Sequence, residues 1–301
     1  MTAGTPVAPA PSAPAATRRR VRLTAGRRKH GRRVLINVVG LLVFAVMVFP
    51  VYWMVSTAFK HGQDILAYKP EWIPLDATLA NFSDAIHRAY FWDAVKNSLI
   101  IVSSVVGLSL VLAFLAALAL AKFRFYGLKA FIVIIIVVQM VPLNALIIPL
   151  YISFSGVHLT NTLLGVIVTY MTFVLPFAVW TLRGFLHGVP KELEEAAMVD
   201  GSTRFGAFAR ILLPLVGPGL VATAIFAFIQ AWNEFIIAYV FLSDPHRQTL
   251  GVWLAYFTTQ RGTDWGPLMA GATLTALPVV IFFLLVHRRI AFGLTAGAVR
   301  G

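Results

Sequence analysis

The sequence predicts an all-α integral membrane protein with six transmembrane helices. Of its 301 residues, 59% are hydrophobic and 12% are charged, whereas soluble globular domains carry about 25% charged residues. The mean hydropathy of +0.81 points the same way. The chain contains no cysteine, which excludes a disulfide framework and a cysteine-based metal site. Membrane lipid is therefore the predicted surrounding of most of the chain.

A basic arm, residues 1–33, precedes the first apolar run. It holds nine of the 25 Lys and Arg residues and no acid. Its first 17 residues are rich in Ala, Pro and Thr without periodicity, which predicts disorder. A basic arm beside a long apolar run is typical of a cytoplasmic anchor rather than a nucleic-acid-binding tail. We therefore predict a disordered cytoplasmic arm over 1–33 and no nucleic-acid partner.

Six apolar runs are long enough to cross a bilayer, which takes roughly 20 residues. They lie at about 34–59, 95–121, 131–152, 162–185, 215–242 and 265–287. The first is longer than a signal-peptide core and has no small-residue cleavage site after it, so we expect it to be retained. These runs define a transmembrane domain over 34–287, followed by a tail over 288–301.

The loop charges predict the orientation of the chain. With the N-terminus inside, 19 of the 25 Lys and Arg residues fall in cytoplasmic segments, while the outer loop 60–94 carries five acids. Cytoplasmic loops are enriched in Lys and Arg. We therefore expect a multi-pass protein of the inner or plasma membrane with both termini in the cytoplasm.

One cytoplasmic loop, residues 186–214, is long enough to have structure of its own. Helix formers over 191–199, with acids in the first turn, predict a first helix. Gly201 is suited to end that helix, and Ser202 or Thr203 can cap a second one. The pattern predicts a helix-turn-helix at the membrane surface.

This loop is predicted to present an apolar face to another protein. The face comprises Leu193, Ala196, Ala197, Phe205 and Phe208. Exposed aromatic and small residues are typical of a surface that fits a cleft. The alternative is an amphipathic helix resting on lipid, but such helices carry Lys and Arg on their polar face. Here that face carries Glu192, Glu194 and Glu195, which favours a protein partner.

The spacing of residues in this loop resembles the EAA motif of binding-protein-dependent ABC permeases. Every position of the motif is filled: Glu195, Ala196, Ala197, Gly201, Ile211, Leu213 and Pro214. From about residue 34 to the end, the chain resembles the smaller permease of maltose-type carbohydrate importers. That likeness includes Asn97-Ser98, Gln139-Met140-Val141-Pro142, Trp232-Asn233-Glu234-Phe235 and the tail from Gly293 to Gly301. The implied fold is that of type I ABC importer permeases, also called MetI-like.

The resemblance implies partners and roles. The family works as a pair of homologous permease subunits with two ATPase subunits and an extracytoplasmic sugar-binding protein. The motif loop would couple to the ATPase, and the tail could be a second contact. The implied coupling residues are Glu195, Ala196, Ala197, Asp200, Gly201, Ile211, Leu213 and Pro214. The implied tail contacts are Thr295, Gly297, Val299 and Gly301.

Polar residues inside the spans are candidates for a translocation path. They are Gln139, Asn144, Tyr170, Asn233 and Glu234. Glu234 is the only acid within a predicted span, and ionisable groups in membranes usually face a cavity or a partner. The alternative for each residue is a structural hydrogen bond between helices, and the sequence leaves both open.

The sequence predicts no catalytic residue, no metal site and no cofactor bound by this chain. It has no G-K-[ST] phosphate-binding motif and no H-E-x-x-H motif, so ATP hydrolysis is expected on a partner subunit. The resemblance implies that the cargo is a di- or oligosaccharide. An ABC permease for a non-sugar solute remains open as an alternative. An integral-membrane enzyme is disfavoured because the only acid cluster has no nearby His, and an ion-coupled transporter would need several buried carboxylates.

Overall fold

The computed structural model describes the backbone of residues 18–297 and the side chains of residues 32–286. The chain divides into two units, residues 1–53 and 54–301. The described part of the first unit is a portion of helix α1 (Arg18–Ala58). This helix begins inside the arm that was predicted to be disordered to residue 33. It starts after the last proline of the arm, Pro14, where Arg and Ala favour helix; residues 1–17 lie outside the described residues.

The remaining elements belong to the second unit and are mostly helical. In chain order the helices are α2 (Gly62–Ile65), α3 (Ala80–His87), α4 (Phe91–Lys122), α5 (Leu128–Gln139), α6 (Leu143–Gly156), α7 (Leu163–His187), α8 (Lys191–Val199), α9 (Arg204–Ala207), α10 (Leu213–Asn233), α11 (Ile236–Phe241), α12 (Leu250–Ala255) and α13 (Trp265–Gly297). A π-helical turn (Phe208–Leu212) precedes α10, and a 3-10 turn (Pro245–Arg247) precedes α12. Strands β1 (Thr258–Thr259) and β2 (Gly262–Thr263) form an antiparallel hairpin in which Thr258 pairs with Thr263.

Six candidate membrane spans are present among the described residues if one bent helix pair counts as a span. Five are unbroken: Arg32–Ala58, Phe91–Lys122, Leu163–His187, Arg204–Asn233 and Trp265–Val286. Each is at least 22 residues long, which exceeds the roughly 20 residues that a bilayer requires. The prediction of six spans is therefore confirmed, with differences at the third and the fifth.

The third span, predicted over 131–152 as a helix kinked at its prolines, is broken into two helices. It consists of α5 and α6, which are bent by 98° at the intervening break. Pro142 lies at that break and adopts an extended conformation, with ψ of 118°. Proline has no N–H to donate and disfavours a helical conformation in the residue before it, so the helix stops before Pro142 and a new one begins after it.

The fifth span ends earlier than the predicted 215–242. Helix α10 ends at Asn233, and Glu234 takes an extended conformation with ψ of 126°. Helix α11 then starts as a separate element at Ile236. Apolar composition alone does not reveal this interruption, since the residues on both sides of it suit a membrane.

The core of the second unit lies between α4, α7 and α10. A central cluster contains Ile101, Tyr170 and Phe241. A second cluster, around Phe114 and Leu212, is near the end of α4, and a third packs Phe91 and Trp253 at the start of the same helix. The two ends of α4 therefore mark the two ends of the bundle.

Candidate functional site

The candidate site is the α8–α9 hairpin, defined as residues 190–212. Pro190 stands immediately before α8, and Glu192 and Glu194 lie in the first turn of this helix. Carboxylates there stabilise a helix because its N-terminal N–H groups carry partial positive charge. Local sequence thus defines where the first arm of the hairpin begins.

The turn between the two arms depends on Gly201. Its φ of +89° lies in the left-handed region, which glycine adopts without the penalty that a Cβ atom brings. The Ser202 N–H donates to the Ala197 carbonyl at 2.9 Å, and the Gly201 N–H donates to the Met198 carbonyl at 3.1 Å. These two bonds form a Schellman motif, with Asp200 as the capping residue between the helix and Gly201.

The second arm begins at Thr203. Its hydroxyl oxygen accepts a hydrogen bond from the Gly206 N–H at 3.0 Å, so Thr203, rather than Ser202, caps α9. The chain continues through the π-helical turn, which contains the half-buried Ile211, into α10. Leu213 and Pro214 are the first residues of α10 and are exposed. The hairpin is therefore continuous with a membrane span.

Two contacts fasten the hairpin to the bundle. The Lys122 ammonium, at the end of α4, forms an ion pair with the Glu194 carboxylate of α8, and their side chains are 13% and 25% exposed. Phe208 packs edge-on against Phe114, with ring centroids 5.7 Å apart. Leu212 is 1% exposed. These contacts connect the hairpin to α4 and to the buried cluster at that end of the bundle.

Sequence reasoning missed the ion pair. The opposite charges of Lys122 and Glu194 are visible in the sequence, but the residues are 72 positions apart. Their contact depends on the end of α4 and the start of α8 meeting at the same end of the bundle. Only a prediction of helix packing could have suggested it.

The exposed face of the hairpin differs from the prediction at Phe208, which is half-buried against Phe114, and at Ala197. Phe205 is 76% exposed and Val199 is 87% exposed, and Leu193, Glu195 and Ala196 are also exposed. Ala197, predicted beside Ala196 on this face, is 8% exposed. Ala197 is therefore buried, while Ala196 is exposed.

A cleft of about 530 Å³ lies between the hairpin and the end of α4. Its walls include Lys122, Glu195, Met198 and Phe205. The cleft combines apolar surface with charges of both signs. A surface of this composition can receive part of another protein.

The candidate translocation residues occupy three separate places. Tyr170 is buried, and its hydroxyl donates to the Glu234 carbonyl at 3.3 Å. The Glu234 carboxylate accepts the N–H groups of Ile237 at 2.9 Å and Ala238 at 3.3 Å. Glu234 thus caps α11, which supports the structural alternative for this acid. Asn233, at the end of α10, is exposed.

The other two candidates, Gln139 and Asn144, flank the break in the third span. Both side chains are exposed. Gln139 lines a cavity of about 250 Å³ that Gln230 of α10 also lines, whereas Asn144 does not. The structure therefore places Gln139 and Gln230 in the wall of one cavity.

The predicted tail contacts fall at the limit of the described residues. Thr295 and Gly297 lie within the helical backbone of α13, but their side chains are not described. Val299 and Gly301 lie outside the described residues. Among the residues with described side chains, no group of three or more His, Asp or Glu could hold a metal ion.

The end of the bundle opposite to the hairpin is tied by polar contacts. The Asn97 amide donates to the carbonyls of His246 at 2.9 Å and Gln248 at 3.0 Å. Just beyond α1, Lys60 is 2% exposed. Burial lowers the pKa of the Lys60 ammonium, while the Glu71 and Asp64 carboxylates act in the opposite direction.

Comparison with known proteins supplies the context for this geometry. Residues 109–295 match the family described as "Binding-protein-dependent transport system inner membrane component". The diacetylchitobiose uptake system permease protein DasC of Streptomyces coelicolor is 45% identical over 269 residues, which cover 89% of this chain and 98% of DasC. The trehalose transport system permease protein SugB of Mycobacterium tuberculosis is 35% identical over 266 residues, covering 88% and 96%.

The fold also resembles a solved structure. That structure is the crystal structure of a bacterial ABC transporter involved in the import of the acidic polysaccharide alginate. The match has a TM-score of 0.75 at 21% identity and covers 87% of this chain and 97% of the other. The predicted importer-permease fold is therefore confirmed.

Proposed function

This chain belongs to the family of binding-protein-dependent transport system inner membrane components, and on that premise we propose that it is the membrane-spanning subunit of an ABC importer for a di- or oligosaccharide. Its lysine and arginine distribution, with 19 of 25 in the segments assigned to the inside, supports cytoplasmic termini. In that orientation the α8–α9 hairpin faces the cytoplasm, where ATP is available.

The sugar assignment is supported by the relatives. DasC is named for diacetylchitobiose and is 45% identical to this chain, and SugB is named for trehalose at 35%. Both named cargoes are disaccharides. Diacetylchitobiose is the first sugar to test because identity to DasC is higher.

The single observation that carries the proposal is the construction of the hairpin. It is closed by a Schellman turn at Gly201 and fastened to α4 through Lys122 and Glu194. It runs without a break into α10, a membrane span. A close-packed element of this kind transmits a displacement rather than absorbing it. A push on its exposed face would therefore reach the transmembrane helices.

The proposed partner at that face is an ATPase subunit. Phe205 and Val199 offer it apolar surface, and Glu195 offers a charge. Coupling would use the whole motif, namely Glu195, Ala196, Ala197, Asp200, Gly201, Ile211, Leu213 and Pro214. ATP would be bound by that partner, so this chain would need no cofactor and perform no chemistry itself.

The complete assembly would contain further members. We expect a homologous second permease subunit, two ATPase subunits and an extracytoplasmic sugar-binding protein. The tail residues Thr295, Gly297, Val299 and Gly301 would be a second contact with the ATPase. The translocation path would involve Gln139, Asn144, Tyr170, Asn233 and Glu234. Tyr170 and Glu234 would hold the wall of the path in place rather than contact the sugar, because they bond to each other.

Uptake by the assembled transporter tests whether the cargo is a sugar. Cells expressing this chain with its partner subunits would be given radiolabelled diacetylchitobiose, trehalose or glutamate. We expect ATP-dependent uptake of at least one of the two sugars and none of glutamate. Uptake of glutamate without either sugar would contradict the sugar assignment.

Measurement of ATP hydrolysis tests whether this chain or a partner subunit is the ATPase. The purified chain alone is expected to hydrolyse no ATP, and hydrolysis is expected when the ATPase subunits are added. Robust hydrolysis by the purified chain would contradict its assignment as a non-catalytic subunit.

A further inference from the structure

The break in the third span follows a helix that is too short to cross a bilayer alone. Helix α5 has 12 residues, so it rises about 18 Å. A helix of that length that enters at one membrane surface ends inside the roughly 30 Å of hydrocarbon. Backbone that leaves the helical path at this depth must be buried in protein or line a water-filled cavity, because lipid offers it no hydrogen bonds. In transporters, interrupted helices commonly mark the substrate site.

A cavity of about 250 Å³ adjoins this break. Helices α5, α6, α7 and α10 all contribute to its walls. The lining residues are Val138, Gln139, Val141, Leu143, Leu146, Thr172, Phe173, Pro176, Phe177, Phe226 and Gln230. Three of them are polar and none is charged.

The two amides in the cavity have unused hydrogen-bonding capacity. Gln139 and Gln230 are both exposed, and neither has a hydrogen-bond partner among residues 32–286. An amide that faces hydrocarbon without a partner costs several kcal/mol, so these groups require a polar partner, and a water molecule or a polar solute in the cavity can supply one. The Thr172 hydroxyl donates to the Thr169 carbonyl at 2.6 Å, which leaves its oxygen free to accept a hydrogen bond.

Aromatic rings line the same cavity as these polar groups. Phe177 and Phe226 stack with their centroids 3.7 Å apart, and Phe173 lies beside them in the lining. An amide both donates and accepts, as a sugar hydroxyl does, and ring faces suit the apolar C–H face of a sugar ring. The volume is below the roughly 300–1,000 Å³ of sites for drug-sized ligands, which suits one ring.

We propose that this cavity is a carbohydrate subsite on the transport path, with Gln139, Gln230 and Thr172 as its polar contacts. The subsite rests on the proposed function and deepens it by defining the cargo. It takes one uncharged sugar ring at a time. Acidic sugars are excluded, because a carboxylate there would be desolvated without a cation to pair with.

Thiol labelling tests the subsite in the assembled transporter. Since the chain has no cysteine, Gln139→Cys and Gln230→Cys each introduce the single thiol of this subunit. Labelling by a hydrophilic methanethiosulfonate is followed by mass spectrometry of this chain, with ATP and binding protein present. The probe sugar is whichever of diacetylchitobiose and trehalose the wild type takes up faster. Gln260→Cys, an exposed glutamine between β1 and β2, is the matched control.

Both cavity thiols are expected to react, and the sugar is expected to slow their labelling several-fold while leaving Gln260→Cys unchanged. A thiol that does not react, or that reacts equally fast with and without sugar, would overturn the subsite. Those results leave the proposed function intact, because wild-type uptake is measured separately.

Substitution of the amides provides a second test. Gln139→Leu and Gln230→Leu should each lower sugar uptake about tenfold through the loss of a hydrogen bond. Stimulation of ATP hydrolysis by sugar-loaded binding protein should stay within about twofold of wild type, because the α8–α9 hairpin is unchanged. Unchanged uptake, or an equal fall in uptake and in ATPase stimulation, would contradict a role in sugar contact.

Discussion

The α8–α9 hairpin and the bent third span interrupt regular helix in opposite ways. In the hairpin, the backbone groups at the turn are hydrogen-bonded to each other, because the N–H groups of Gly201 and Ser202 donate to carbonyls of α8. At the break before Pro142, the chain bends by 98° next to a cavity lined by two amides that have no hydrogen-bond partner within residues 32–286. The first interruption makes a rigid surface element, whereas the second adjoins a cavity with three polar side chains in its wall.

The two regions therefore suit different tasks. A hairpin with satisfied turns and a buried anchor keeps its shape when pushed. A broken helix beside a cavity can exchange its polar contacts with a passing solute. Substitutions in the hairpin should thus affect coupling and stability, and substitutions at the break should affect passage of the sugar.

The largest effect is expected from Gly201. Gly201→Val places a β-branched residue at a φ of +89°, a conformation that costs L-residues roughly 1–2 kcal/mol and more when the side chain is branched. No atom lies within 4 Å of the position that a Cβ would take, so the cost comes from the backbone. The hairpin should change direction, and sugar uptake should fall about tenfold or more while the protein still inserts.

Gly201→Asn is the matched control, since asparagine tolerates the left-handed region. It should retain most of the uptake. Equal uptake by the two variants, at equal amounts in the membrane, would mean that the turn geometry does not matter for coupling.

Substitution of Phe205 and of Phe208 should distinguish contact with the ATPase subunit from attachment of the hairpin to the bundle. Phe208→Ala should lower the free energy of unfolding by about 2 kcal/mol, since a half-buried ring loses less than the 3–5 kcal/mol of a buried one. Phe205→Ala, at a ring that is 76% exposed, should leave stability unchanged and weaken binding of the ATPase subunit. Thermal unfolding and co-purification measure the two effects, and a reversed pattern would contradict the assigned faces.

A smaller effect is expected from the ion pair that fastens the hairpin. Lys122→Met, Glu194→Gln and the double variant form a double-mutant cycle. Because both side chains are partly buried, we expect a coupling energy of about 1 kcal/mol, measured by thermal unfolding. A coupling energy near zero would show that the aromatic contact between Phe208 and Phe114 holds the hairpin without this pair.

The smallest effect on uptake, about twofold, is expected from substitution of Pro142. Pro142→Ala restores an N–H and removes the restriction on Val141, so the bend should open. Spin labels at Phe131→Cys and Ile152→Cys, both exposed, would report a longer distance between α5 and α6. An unchanged distance would mean that packing, rather than Pro142, sets the bend.

The sequence predicted the hairpin better than the broken span because its signals are local. Gly201 and Thr203 act on the backbone beside them, and they do so in the structure as the turn chemistry requires. The six spans followed from apolar length alone. Pro142 could also be identified in the sequence as a helix-breaking residue. The size of the bend, however, depends on the packing around α5 and α6, and amino-acid composition does not reveal that packing.

Other features were hidden because they depend on tertiary contacts. The pairing of Lys122 with Glu194 requires two distant helix ends to meet. Glu234 was predicted within a span because its neighbours are apolar, but its carboxylate caps α11. Ala197 was predicted on the outer face with Ala196, but it is buried, since a motif does not reveal which alanine is covered by tertiary packing.

The central claim, that the α8–α9 hairpin seats against a separate ATPase subunit, is tested most directly by cross-linking. Val199→Cys, at a side chain that is 87% exposed, would be the single thiol of this chain. Ser103→Cys, exposed on α4 away from the hairpin, is the control. In the assembled transporter, a short thiol-to-amine cross-linker should join Val199→Cys to the ATPase subunit and leave Ser103→Cys unlinked. An active transporter in which Val199→Cys gives no such product would contradict the account.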